Sequence, residues 1–160
     1  MVDTNVGPHP TNKIVVAGQP LLQVMEVETG TNMYAGRLVK KGTGDHDAVV
    51  VTAGTDDILG WLGYEDTIKK HRPATLTTIY AAAAQAVVLN GGHFRIMGKL
   101  LSGETIVKGE KLTGAAAGCL AALTIGSTSE IVGTAEESVA AACAGTGCDG
   151  TADIIVLSTI

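Results

Sequence analysis

Three glycines and one acidic–apolar tetrad recur in this chain at a single spacing, and that recurrence constrains the fold more tightly than any composition figure. Gly30, Gly36 and Gly60 stand 73 positions ahead of Gly103, Gly109 and Gly133. In the same register Asp57-Ile58-Leu59-Gly60 falls against Glu130-Ile131-Val132-Gly133. The surrounding segments, residues 29–39 and 102–112, share one grammar: a turn at glycine, a short apolar stretch, a second glycine turn, and re-entry into a strand. Glycine suits both turns because it takes positive φ without a Cβ penalty. The chain therefore reads as an internal duplication, with units over about 24–90 and 97–158. A unit of roughly 65 residues is marginal on its own, so the two are expected to share one core.

Between the turns lie short β-branched runs, partly alternating, at residues 14–17, 21–28, 37–41, 48–52, 58–64, 84–89, 93–97 and 152–157. Asn90-Gly91-Gly92 is a strong turn signal joining two of them. The fold class expected is all-β: a small β-barrel or sandwich built from two similar meander units sharing one core. The division expected is an extended N-terminal arm over residues 1–12 and a single β-domain over residues 13–160. Residues 65–83 resist placement; Pro73 breaks a helix there, residues 75–80 read as a possible strand, and the four alanines from Ala81 are too few to sustain a helix. Trp61, the only tryptophan, fits either core filler or an interface anchor, with the core preferred.

Composition narrows the function. With 21 glycines, one Phe and a hydrophobic share of 46% among 160 residues, the chain suits many turns and small-residue strands. A formal charge of −5 and a lone basic cluster, Lys69-Lys70-His71-Arg72, argue against a nucleic-acid binder. No apolar run is long enough for a membrane span, and the first residues lack the layout of a secretory signal. Three cysteines, Cys119, Cys143 and Cys148, in such a chain point to free thiols and cytoplasmic synthesis, although Cys143 and Cys148 are close enough for a local disulfide. No Gly-x-Ser-x-Gly or phosphate-binding loop occurs, and the four histidines are scattered. No catalytic residue, cofactor or metal is expected, and the acidic pairs Asp56-Asp57 and Glu136-Glu137 are expected to be solvated.

The arm carries Gly7-Pro8-His9-Pro10, whose alternate prolines favour an extended course. Such a segment is either a disordered end or one that orders against a partner. Val6, Pro8 and Pro10 are the candidate contacts with a capsid or a neighbouring copy.

The order of these segments resembles the small capsid decoration (cement) proteins of tailed viruses, in particular a Gly- and Ala-rich family long catalogued as a domain of unknown function. The resemblance is carried by residues 35–39, residues 58–62, the Ala81 run, the stretch from Val87 through Gly91-Gly92 to Phe94, residues 108–112, residues 131–135, and the Ala140 run leading into residues 154–157. It covers about residues 20–158, and the insertion from Thr67 to Tyr80 departs from it. It implies a non-enzymatic β-protein that docks on the outside of an assembled shell of major capsid protein, as a homo-oligomer with a trimer favoured, located on the virion exterior. A second reading comes from residues 104–112, which resemble the turn of biotinyl and lipoyl carrier domains, with Met97-Gly98-Lys99-Leu100 as a loose match to a modified-lysine turn. Lys99 falls inside an expected strand and only four residues before Gly103, which counts against a carrier.

Overall fold

A computed structural model describes residues 12–140 and 153–160. Eleven strands run through them: β1 (Val15–Ala17), β2 (Leu21–Val27), β3 (Leu38–Lys41), β4 (Asp47–Val50), β5 (Ile58–Leu62), β6 (Gln85–Asn90), β7 (Arg95–Lys99), β8 (Lys111–Gly114), β9 (Leu120–Ala122), β10 (Ile131–Ala135) and β11 (Asp153–Ser158). The one helical turn among the described residues is a 3-10 turn at Ala116–Gly118, so the all-β class and the small-barrel architecture hold.

The repeat seen in the sequence is a repeat of strands. β3 and β8 coincide residue for residue at the 73-position spacing, as do β5 and β10. β4 and β9 begin at matching positions, and β2 overlies β7. Only the last pair slips: β6 and β11 match at 68 positions, so that Val88 and Val156 occupy equivalent places opposite Gln23 and Ile96. The backbone bonds repeat too. Leu62 N–H donates to the Arg37 carbonyl and Ala135 N–H to the Glu110 carbonyl, while Gly36 N–H donates to Leu62 and Gly109 N–H to Ala135.

Each unit departs from a sequential meander. β2, β4, β3, β5 and β6 close into a barrel in that order, with β2 and β4 parallel. The connection from β2 to β3 passes through the buried Met33 and delivers β3 to the far side of β4, which a two-residue hairpin would not allow. The second unit repeats the order as β7-β11-β10-β8-β9, and its ends meet at one parallel bridge, Leu100 to Leu120. β1 is added outside β7, making a six-stranded sheet.

The units meet about a local two-fold relation. Gly18 packs on Phe94, and Gly91, its counterpart, packs on Leu21, the counterpart of Phe94. A core spanning both units lies behind this contact, with Leu38, Trp61 and Leu89 from the first and Ile96, Leu100, Leu120 and Ile155 from the second. Trp61 is fully buried and its indole N–H donates to Ser158 Oγ at 3.0 Å, which settles its place in the core. The first barrel also holds a core of its own, from Met25, Val27, Met33, Val39, Leu62, Tyr80 and Val88. Sharing is therefore real but not exclusive, because closing the first barrel gives it an interior.

The insertion that the sequence left unplaced contains no strand. Residues 75–78 form a turn in which the Thr75 hydroxyl meets those of Thr77 and Thr78. Tyr80 anchors its end, with its buried hydroxyl donating to the Gly63 carbonyl at 2.7 Å and lying 3.0 Å from Thr67 Oγ1. Burial pushes this phenol up to about 12. A phenol held neutral in the fold contributes stability that is complete below its unfolded pKa of about 10 and fades as pH rises through the folded value. Equilibrium unfolding is therefore expected to lose about 1–3 kcal/mol between pH 10 and 12, and Tyr80→Phe is expected to lose less over that window. Equal pH dependence in the two proteins would show that Tyr80 titrates normally.

Candidate docking surface

Among the described residues, no three His, Cys, Asp or Glu side chains lie close enough together to hold a metal ion. Of the acidic pairs singled out in the sequence, Asp57 is exposed as expected, whereas Asp56, Glu136 and Glu137 have structural partners, which corrects the reading of those three as simply solvated. Glu137 is buried, with its carboxylate accepting the Ile155 N–H at 2.8 Å, and Glu136 meets Arg95 at 3.3 Å. Asp56 accepts the N–H groups of Thr52 (2.7 Å) and Ala53 (3.1 Å) and pairs with Lys40 at 3.0 Å. Partial burial works against its ionisation, but these donors outweigh it and hold the carboxyl well below the usual carboxylate range. Each carboxylate ties a turn to a strand.

Lys99, on which the carrier comparison rests, is buried in β7 and ion-paired with Asp153, so its amine is not presented on a turn. Cys119 is half of a disulfide, which overturns the expectation of free thiols at that position: an odd count leaves one cysteine over but does not keep the other two apart. Cys143 and Cys148 lie outside the described residues, as do Val6, Pro8 and Pro10.

What the molecule does present is exposed apolar surface. Ile125 is fully exposed, Val107 and Ile131 are exposed on the second unit, and Ile68 and Ile79 are exposed on the insertion. The densest case is the start of β2, where Leu21, Leu22 and Val24 are 67%, 55% and 56% exposed. The sequence suggested a half-buried strand there. Apolar residues at consecutive positions, rather than strictly alternate ones, were the signal that both faces of this stretch are alike.

A groove of about 510 Å³ opens beside that strand, lined by Lys13, Val15, Gly18, Pro20, Leu22 and Glu65 among others. Its wall is fixed from the insertion side. The Glu65 carboxylate accepts the N–H groups of Ile14 (3.1 Å) and Val15 (2.8 Å), holding β1 in place. Arg72 donates to the Glu65 carbonyl at 3.3 Å and stacks 5.3 Å from the centre of the Tyr64 ring. Part of the basic cluster is thus a structural strut, while Lys69 and Lys70 are exposed. The lining sets Lys13, Glu65 and Asp66 beside the apolar Val15, Pro20 and Leu22.

No protein-family model matches the chain, and no curated protein matches it. No helix among the described residues is long and apolar enough to cross a membrane.

Proposed function

We propose that the protein decorates and stabilises a viral capsid, binding the outer surface of assembled major capsid protein without a catalytic step. The observation that carries this reading is the set of large apolar side chains left exposed on strands and turns of the β-fold. Exposed apolar residues on a framework with no reactive cluster among the described residues suit repeated docking on many copies of one partner. Modest contacts suffice on a closed shell, since multivalent placement raises effective affinity without new contacts. A formal charge of −5 suits the outside of a shell better than its nucleic-acid lining. The resemblance of the segment order to capsid decoration proteins adds to this, with a trimer as the favoured form, the virion exterior as its place and the host cytoplasm as its site of synthesis. In this reading the arm, with Val6, Pro8 and Pro10, supplies contacts to the shell or to a neighbour.

Mixing purified protein with expanded, undecorated capsids tests it. Co-sedimentation at saturable stoichiometry and a raised capsid disruption temperature are expected. Neither binding nor added heat resistance on such capsids would refute the reading.

A further inference from the structure

The two units differ at one edge. β7 is paired on both sides along its first half, with β11 on one and β1 on the other; Met97 N–H donates to the Ile14 carbonyl at 2.8 Å. In β2, β6 covers the side equivalent to β11, from Leu21 to Glu26. The opposite side meets β4 only at Glu26 and Val27. Glu26 N–H points that way, to the His46 carbonyl at 2.7 Å. In an antiparallel strand alternate residues address the same edge, so the N–H and C=O groups of Leu22 and Val24 point there too. Among the described residues no strand pairs with them on that side. Val24 is the counterpart of Met97, so among the described residues nothing takes in the first unit the place that β1 fills in the second.

An uncovered edge with exposed apolar side chains is a template for strand addition. We infer that this edge accepts residues 2–6 of a second copy as an added strand. Three observations select that occupant. The chain's own N-terminal segment already plays this part on the equivalent edge, as β1. The eleven residues before Asn12 include Val2-Asp3-Thr4-Asn5-Val6, which alternates β-branched with small polar side chains and has every N–H a ladder needs. The arm starts at the groove that Lys13 and Leu22 both line, yet its nearest residues cannot fill its own edge, because Pro8 and Pro10 have no N–H to donate. An extended course at about 3.1 Å per residue would span roughly 19 Å over residues 7–12, far enough for residues 2–6 to reach a neighbour. Each copy thereby gives one strand and receives one, an exchange that closes as a reciprocal pair or a ring, or runs on as a chain. This exchange stands whether or not the further partner is a viral shell.

Complementation between two full-length variants tests it in solution without capsids. Val24→Pro removes the N–H that addresses the edge and leaves the arm intact; Val2→Asp with Val6→Asp disables the arm and leaves the edge intact. Wild-type protein is expected to self-associate reversibly in sedimentation velocity over a concentration series. Each variant alone is expected to be monomeric with an unchanged β-type circular dichroism spectrum, and an equimolar mixture to form a one-to-one pair. Leu22→Lys, which keeps every N–H, serves as a second edge variant and is expected to behave as Val24→Pro does. A wild-type protein that stays monomeric throughout overturns the inference, as do variants that associate like wild type. A mixture that stays monomeric means that each arm serves its own chain, which overturns exchange between copies.

Discussion

Trp61→Ala is expected to destabilise the protein by about 3–5 kcal/mol, the range for emptying a fully buried large aromatic site. Trp61 belongs to β5 of the first unit, but what receives it belongs to the second. Ser158 Oγ takes its indole N–H, and Gly98 leaves room for the ring: a Cβ at position 98 would lie 3.0 Å from Trp61 Cζ3 and 2.5 Å from Leu120 Cδ1. Removing the indole therefore leaves a cavity at the joint between the units, where neither can collapse without moving the other. Chemical denaturation followed by circular dichroism gives the measurement. A loss below about 1 kcal/mol would mean that the joint contributes little and that each unit is held by its own strands.

Gly36→Ala and Gly109→Ala form the second case, since the two glycines are counterparts with nearly the same backbone, φ +81° and φ +92°. Any side chain at either must adopt the left-handed region, at about 1–2 kcal/mol. Around Gly109 nothing lies within 4 Å of an added Cβ, so that strain is the whole expected cost. At Gly36 the Cβ would also sit 2.5 Å from the Met97 carbonyl oxygen, a backbone atom of the other unit that cannot rotate away. Overpacking of this kind adds about 1–3 kcal/mol, so Gly36→Ala is expected to cost about 2–5 kcal/mol. Equal losses at the two sites would show that the inter-unit contact yields freely.

The glycines were also what made the fold legible in the sequence. Their spacing reported the repeat because turns and close backbone approaches tolerate little else: a Cβ at Gly60 or Gly133 would collide with the carbonyl of Leu89 or Leu157, equivalent atoms in the two units. Strands rich in Val and Ile were visible for the same reason. β9 was not, since Leu120-Ala121-Ala122 has neither β-branching nor alternation; only the match of its position to β4 could have revealed it. Strand order was hidden because β2 to β3 is a crossover whose geometry depends on the burial of Met33, a tertiary fact. The candidate docking surface was hidden for a related reason. Local sequence describes the faces of β2, whereas its bare edge follows from where β4 stops pairing and from β1 having joined the other unit.

One five-stranded plan is used twice, closed as a barrel in the first unit and carrying β1 at the equivalent edge in the second. Amide hydrogen exchange on dilute, unassociated protein tests it most directly, because each amide in one unit has a named counterpart in the other. Leu62 and Ala135 should be protected alike, as should Gly63 and Glu136, whose N–H groups donate to equivalent carbonyls. Val24 should exchange orders of magnitude faster than Met97, its counterpart, which donates to Ile14. Unequal protection within the first two pairs, or equal protection of Val24 and Met97, would contradict the account.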